Sequence, residues 1–325
     1  MDAGQTLPYC SPNDTALQSS HVVPIVFSEQ RYMLGGLYLV VWALGFFPQC
    51  LCLYSICHKQ HLKYPCYVLM MFVSVLDLSN LTTCVLTAGI FSLLDIHHCN
   101  SGYWVIIIGY VTLWLWFAYC GAAMILALNR VLEFSSKHTS ELLFDGRRCW
   151  LWVFVSLGYA CLVQCTVSKP FYYYNPTEGV FNFFTLHTTP TNVNHIVNNM
   201  FTFLFVSVSY TSMRLLLKIK MRQGVSTVRA VSSLEAKLSI QTFVVGILAA
   251  FATIGYIGMS YFLFARVPLT GALGECLWAS VHRGSAYIYL TMNKSMRTTA
   301  LKLLSVYGGT KVTTLTATPS FVQHK

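Results

Sequence analysis

Three ionisable residues stand inside long apolar stretches of this sequence: Asp77, His282 and Arg283. A charged group in the middle of a bilayer is costly and usually serves a function, such as ion binding, proton transfer or ligand recognition. We therefore expect Asp77 either to bind a cation or to hydrogen-bond with neighbouring helices, with a protonated packing acid as the alternative. Glu275 stands nearer to the end of its stretch, and we expect its carboxylate to be solvated.

Two histidine motifs could indicate an enzyme, but both lack the partners that the chemistry needs. The segment Asp95-Ile96-His97-His98-Cys99 resembles an acyltransferase signature, yet an Ile interrupts it and no Cys-rich zinc framework flanks it. His58 and His61 form an H-x-x-H pair, whereas a di-iron centre needs several such boxes on one face of the membrane. We therefore predict no catalytic residue, no metal site and no cofactor.

The composition of the chain is that of a membrane protein. Of its 325 residues 55% are hydrophobic and 10% are charged, whereas a soluble domain is about 25% charged. A helix crosses a bilayer with about 20 apolar residues, and a single segment within lipid must be helical to pair its backbone groups. We predict an all-α integral membrane protein with a seven-transmembrane helix bundle, whose spans are Met33–Cys57, Cys66–Phe91, Trp104–Val131, Cys149–Ser168, Ile196–Lys218, Leu238–Phe264 and Leu273–Met292.

Basic residues lie mainly on one side of these spans, and this bias predicts the orientation. Of the 21 Lys and Arg residues, 17 lie at or beyond the ends of the first, third, fifth and seventh spans that face this side. The amino terminus is therefore expected outside the plasma membrane and the carboxyl terminus in the cytosol. Asn13-Asp14-Thr15 in the outer tail is an N-glycosylation sequon, whereas the sequon at Asn80 lies within the second span and should be inert. Topology accounts for the basic excess, so we expect no nucleic-acid partner.

The spans divide the chain into four parts. We expect an extracellular tail at residues 1–32, the helix bundle at 33–293, an amphipathic helix on the inner leaflet at 294–306 and a cytosolic tail at 307–325. Leu and Met alternate with Lys and Arg between positions 294 and 306, which is the pattern of a helix that lies on a membrane surface.

Most of the 12 cysteines fall in the spans or near the reducing cytosol, where they are small buried apolar residues. Four lie near the outer face: Cys10, Cys99, Cys165 and Cys276. Cys99 comes just before the third span and could form a disulfide that links the outer ends of two helices. Its partner stays open, because the loop from Lys169 to His195 contains no Cys.

Seven spans, an Asp within the second, an Arg that closes the third and a basic third inner loop together resemble a rhodopsin-like G-protein-coupled receptor. Within that superfamily the sequence is most similar to the nematode serpentine chemoreceptors of class T. The similarity covers about Met33 to Val306 and rests on five segments: Tyr64-Pro65-Cys66-Tyr67, Ile125-Leu126-Ala127-Leu128-Asn129-Arg130, Ser168-Lys169-Pro170, Gln241-Thr242 and Ile288-Tyr289-Leu290-Thr291-Met292-Asn293-Lys294-Ser295-Met296-Arg297.

The resemblance implies roles for four residues of the bundle. Arg130 matches the arginine of the Asp-Arg-Tyr switch motif that meets the G protein, and Asn129 stands where that motif has Asp. Tyr289 matches the tyrosine of the Asn-Pro-x-x-Tyr motif, and Asp77 matches an aspartate that binds sodium in many relatives. Because no acid adjoins Arg130 in the chain, we do not expect the resting-state ion pair of that motif to form locally.

The resemblance also implies a function. The chain would bind a small, largely apolar molecule from the extracellular side, in a pocket lined by Thr112, Trp116, Trp278 and His282. The ligand would shift the receptor toward an active state, in which the sixth span moves and a heterotrimeric G protein binds at the inner end. We therefore expect a chemosensory receptor and not an enzyme. A membrane transporter or ligand-gated channel is the alternative, because ionisable residues stand inside the spans.

Overall fold

The computed structural model of the chain describes residues 28–57, 62–166, 171–175, 179–184, 192–222 and 270–307, together with residues 244 and 248. Within these ranges long helices pack side by side, as the seven-helix prediction requires. They are the first span Ser28–Ile56, the second Pro65–Leu94, the third Trp104–Ser135, the fourth Arg148–Thr166, the fifth Val193–Arg222 and the seventh Thr270–Met292. The predicted sixth span apart from residues 244 and 248, the H-x-x-H pair, and most of the amino-terminal and carboxyl-terminal tails lie outside the described residues.

The first four spans are long and apolar enough to cross a membrane by composition alone. The fifth and seventh spans carry more polar side chains, and several of these are buried inside the bundle, among them Asn198, Asn199, Glu275 and His282. We name the two ends of the bundle from the predicted orientation. The outer end bears the connection between the second and third spans, and the inner end bears the connection between the third and fourth.

The second span is not one continuous α-helix. Pro65 begins it at a position where the missing N–H is not needed. Leu81–Leu86 then form a π turn between the α-helical segments Pro65–Asn80 and Thr87–Leu94. A π turn contains more residues than an α turn, so it rotates the outer part of the span relative to the inner part. The side chains that face the seventh span therefore depend on this turn.

Pro48 lies inside the first span and has no N–H to donate to the carbonyl of Leu44. Tyr287 of the seventh span donates its hydroxyl to that carbonyl oxygen at 2.7 Å. An unpaired carbonyl is unfavourable in lipid. The contact therefore compensates for the proline and joins the first and seventh spans.

An antiparallel hairpin, which was not predicted from the sequence, connects the fourth and fifth spans. Its strands are Phe171–Asn175 and Val180–Phe184. Both are rich in aromatic residues, which favour strands. Tyr172, Tyr174 and Phe181 are buried, so the hairpin covers part of the outer end of the bundle.

Two short helices, His98–Ser101 and Lys137–Phe144, lie in the connections on either side of the third span. After the seventh span a further helix runs over Lys294–Tyr307, where the amphipathic helix was predicted. Met296 and Ala300 are buried on one side of this helix, while Leu301 and Leu304 are exposed. The exposed leucines suit a helix that lies on the membrane surface.

Candidate functional site

Asp77 accepts hydrogen bonds from the first and seventh spans at the centre of a buried polar cluster. Its Oδ2 accepts from Ser285 Oγ at 2.8 Å and from Gln49 Nε2 at 2.9 Å. Its Oδ1 lies 2.8 Å from Nδ1 of His282. All four side chains are 0% exposed. The structure therefore shows Asp77 in hydrogen bonds with two neighbouring helices, which was one of the expectations for this residue.

Asp77 and His282 were predicted as site residues from the sequence, whereas Gln49 and Ser285 were not. Gln49 also donates to Ser285 Oγ at 3.3 Å, so the first and seventh spans are joined directly as well as through the carboxylate. The available signal was the polar amide of Gln49 in the middle of an otherwise apolar stretch.

His282 connects the polar cluster to a group of aromatic rings on its outer side. The centroid of its imidazole lies 4.3 Å from Trp278, 4.7 Å from Tyr119 and 5.7 Å from Trp116. Trp116 stacks on Tyr119 with centroids 5.6 Å apart and lies 6.0 Å from Trp278. Three of the four residues predicted to line a ligand pocket therefore come together next to Asp77.

Thr112 is the fourth of those residues and lies one turn outward from Trp116 on the third span. Its side chain is buried, and its hydroxyl donates to the carbonyl oxygen of Thr83 at 3.0 Å. Thr83 belongs to the π turn, so this hydroxyl ties the third span to the irregular part of the second.

Polar residues of the fifth span extend the site beyond the predicted set. Trp116 Nε1 donates to Asn199 Oδ1 at 2.9 Å, and Asn198 Nδ2 donates to the same oxygen at 3.0 Å. Tyr159 donates its hydroxyl to Asn198 Oδ1 at 2.6 Å. Asn199 Nδ2 lies 3.3 Å from Nε2 of His195, which is also buried. The available signal was an Asn-Asn pair inside a predicted span.

The hairpin forms the outer boundary of the site. The hydroxyl groups of Tyr174 and Ser92 are hydrogen-bonded at 2.7 Å. Burial raises the pKa of Tyr174 to about 12, so this hydroxyl keeps its proton at physiological pH. The hairpin backbone passes so close to the third span that a Cβ added at Gly109 would clash with the carbonyl oxygen of Tyr172.

Glu275 is not solvated, and that prediction was wrong. The residue is 6% exposed, and its Oε1 accepts a hydrogen bond from the Cys84 thiol at 2.8 Å. Cys84 lies in the π turn of the second span and also interacts with the hydroxyl of Tyr172 in the hairpin. The burial depends on the π turn and the hairpin, and neither element was predicted.

Arg130 lies inside the third helix, which continues to Ser135 and does not end at Val131. Its Nη1 donates to Glu133 Oε2 at 2.9 Å, and its Nη2 contacts the Cys66 sulfur of the second span. The expectation that no local acid pairs with Arg130 was therefore wrong. Glu133 stands three residues later, and residues at this spacing lie on the same face of a helix.

Other buried polar groups surround Arg130 at the inner end. Asn129 and Tyr289 are both buried, and Oδ1 of Asn129 has no hydrogen-bond partner among the described residues. Asn293, just after the seventh span, donates to the Tyr67 hydroxyl at 3.3 Å. The half-buried Arg283 lies further out and donates to Ser280 Oγ at 2.9 Å.

The remaining predicted sites concern the outer face. Cys165 and Cys276 are both free thiols, and the disulfide of Cys99 stays a prediction without an assigned partner. Cys10, Asn13 and the side chain of Cys99 lie outside the described residues. No group of three or more His, Cys, Asp or Glu residues suited to a metal ion occurs in the part of the chain that the structure describes.

A family model and a solved structure each match most of the chain. The family model described as "Serpentine type 7TM GPCR chemoreceptor Srt" matches residues 6–312. The crystal structure of squid rhodopsin superposes with a TM-score of 0.68 over 87% of this chain and 87% of its own, at 11% sequence identity. At that identity the likeness shows a common fold alone. A search of curated proteins gave no significant match.

Proposed function

Because the chain belongs to the Srt family of serpentine seven-transmembrane chemoreceptors, we propose that it binds a small molecule in its outer half and activates a heterotrimeric G protein at its inner end. Membership of the family makes it a multi-pass membrane receptor, and proteins of this family and fold are typically not enzymes. The ligand site and the G-protein contact are the parts proposed here.

The observation that carries the proposal is the direct contact between the aromatic cluster and the buried polar cluster. His282 belongs to both, since its ring packs on Trp116 and Trp278 while its Nδ1 is hydrogen-bonded to Asp77. A ligand that packs against the tryptophans and moves this imidazole would therefore change the hydrogen bonds between the second and seventh spans. A ligand changes the populations of two states only by binding one of them more tightly. Through its contact with His282, the ligand would interact differently with the resting state and the active state.

At the inner end we propose that Arg130 acts as the switch, together with Asn129 and Tyr289. In this state the guanidinium is buried and held by Glu133 and Cys66, so it does not face the cytosol. Activation would release it to contact the carboxyl-terminal helix of a G protein α subunit. Basic residues from Arg214 onward in the fifth span would lie beside that contact.

A second-messenger assay in cells that express the receptor tests the proposal. A panel of volatile and water-soluble small molecules is applied, and Arg130→Ala is compared with the unchanged receptor at equal surface expression. We expect the response to be lost in the variant. A ligand-evoked current in cells without G proteins would instead support the transporter or channel alternative, and a response that survives Arg130→Ala would remove this residue from the mechanism.

We also propose that the amino-terminal tail is extracellular and glycosylated at Asn13. The basic residues, which are concentrated at the inner end, support this orientation. Glycosidase treatment should increase the gel mobility of the expressed receptor, and Asn13→Gln should abolish that change. An unmodified chain whose amino-terminal tag is reached only after cells are permeabilised would contradict the orientation.

A further inference from the structure

A second cluster of buried polar side chains lies in the outer half of the bundle, away from Asp77. Its central residue is Glu275. This carboxylate is almost fully buried, and the Cys84 thiol is the donor that the structure gives it. No basic side chain pairs with Glu275 among the described residues. Arg31, at the outer end of the first span, is paired with Asp95 at 2.6 Å, and Arg283 donates to Ser280.

Tyr38 of the first span interacts electrostatically with this cluster. Tyr38 is 0% exposed, and its hydroxyl has no hydrogen-bond partner among the described residues. It lies within electrostatic range of Glu275, Cys84 and Tyr174. A buried hydroxyl without a hydrogen-bond partner among the described residues, within electrostatic range of a buried carboxylate that no described basic side chain pairs, is energetically unfavourable. Both groups would gain a partner from one positively charged hydrogen-bond donor.

The position of Glu275 relates this group to the proposed ligand site. Glu275, Trp278 and His282 are spaced at i, i+3 and i+7, so they share one face of the seventh span. Trp278 lies about 4.5 Å further inward along the helix axis. A molecule held at Glu275 by a charged head would therefore place its apolar part beside Trp278 and Trp116.

We propose that Glu275 and Tyr38 form a subsite for the ammonium group of an amine ligand, between the first, second and seventh spans and beneath the hairpin. This inference deepens the proposed function, because it assigns a chemical class to the ligand of that function. The ammonium donates to the Glu275 carboxylate and to the Tyr38 oxygen, and an alkyl chain extends toward the tryptophans. Charge-assisted hydrogen bonds of this kind are stronger than those between neutral groups.

Ligand-induced thermal stabilisation of the purified full-length receptor tests this subsite without a G protein. The probes are straight-chain primary amines from butylamine to decylamine, with the alcohols and carboxylic acids of the same lengths. We expect amines to raise the unfolding temperature and alcohols and acids of equal length not to do so. Stabilisation by alcohols equal to that by amines, or no stabilisation by any amine, would overturn the subsite.

Variants then assign the effect to the named residues. Glu275→Gln keeps the shape of the side chain but removes its charge, and should weaken amine binding at least about tenfold. Tyr38→Phe should weaken it less, because one neutral oxygen is lost. Tyr38→Phe also tests the subsite independently if Glu275→Gln fails to fold. Glu141→Gln makes the same chemical change at an exposed site on the inner side and should bind amines as the unchanged receptor does.

The outcomes of the binding and second-messenger assays distinguish a failure of this subsite from a failure of the proposed function. Amines that stabilise the receptor without any second-messenger response would contradict G-protein coupling and leave the subsite intact. A second-messenger response to neutral molecules only, unchanged in Glu275→Gln and Tyr38→Phe, would overturn the subsite and leave the receptor function intact.

Discussion

Nδ1 of His282 lies 2.8 Å from Oδ1 of Asp77, although the two residues are 205 positions apart in the chain. The contact joins the second span to the seventh inside the bundle and is shielded from water, since both side chains are 0% exposed. A hydrogen bond in such surroundings is costly to break, because neither group can turn to solvent. The second and seventh spans are therefore joined by a buried hydrogen bond that a ligand bound on the outer side can disturb.

Asp77→Ala should destabilise the receptor strongly. The change removes the carboxylate that accepts from Ser285 and Gln49 and is hydrogen-bonded to His282, at a cost of about 1–3 kcal/mol for each buried group left unpaired. We expect a fall of several degrees in the unfolding temperature of the detergent-solubilised receptor. Ser79→Ala in the same span is the control, because that hydroxyl donates to the carbonyl of Val75 in its own helix and joins no second span among the described residues. Equal unfolding temperatures for the two variants would contradict a structural role of the cluster.

Glu133→Gln should raise signalling in the absence of ligand. The substitution weakens the 2.9 Å ion pair that holds Arg130 in its buried position. Glu133 is 40% exposed on its side chain, so the pair contributes at most about 1 kcal/mol and the active population rises at most about fivefold.

Basal second-messenger production at matched surface expression measures the effect of Glu133→Gln. Glu141→Gln makes the same substitution in an exposed ion pair, the one with Lys137, on a short helix at the same end of the bundle, and should leave the basal signal unchanged. A basal signal that is the same in both variants would show that the Arg130–Glu133 pair does not restrain the resting state.

The helices could be predicted from the sequence because lipid restricts the conformation of a spanning segment. An apolar stretch of sufficient length must form a helix to pair its own N–H and C=O groups. The helical spans of the structure therefore agree with the predicted ones to within about five residues at each end wherever the chain is described. The helix after the seventh span was predictable from the same kind of pattern.

The partners of the buried polar residues were not predictable in the same way. Whether Asp77 meets His282 or Arg283 depends on how far each helix is rotated about its axis, and apolar stretches carry little periodicity that would fix this rotation. The π turn at Leu81–Leu86 adds to the difficulty, because it rotates Cys84 relative to the inner part of the second span. For that reason the burial of Glu275 could not be derived from its position near the end of a span.

Gly109→Ala should displace the hairpin from the third span. The added Cβ would clash with the carbonyl oxygen of Tyr172, which is backbone and cannot rotate away. We expect a lower unfolding temperature and lower surface expression. Gly158→Ala in the fourth span is the matched control, because nothing lies within 4 Å of its added Cβ and alanine is a better helix former by about 1 kcal/mol. The two substitutions should therefore have opposite effects, and a neutral Gly109→Ala would show that the hairpin does not rest on the third span.

Trp116→Phe should weaken the response to an activating ligand. The substitution removes the 2.9 Å hydrogen bond to Asn199 and reduces the ring surface that contacts Trp278 and His282. The lost hydrogen bond leaves a buried acceptor with one donor fewer, which costs about 1 kcal/mol. Half-maximal response should then require about five- to tenfold more ligand.

Trp114→Phe provides the comparison for Trp116→Phe, since Trp114 stands two residues earlier on the third span and contacts Cys161 of the fourth at 3.4 Å. Side chains two residues apart on a helix point about 200° apart. Trp114→Phe therefore removes an indole from a different face of the third span. Dose–response curves at equal surface expression should shift for Trp116→Phe and stay in place for Trp114→Phe. Equal shifts in the two variants would indicate a general loss of packing in the third span, and the ligand site would then have to lie away from Trp116.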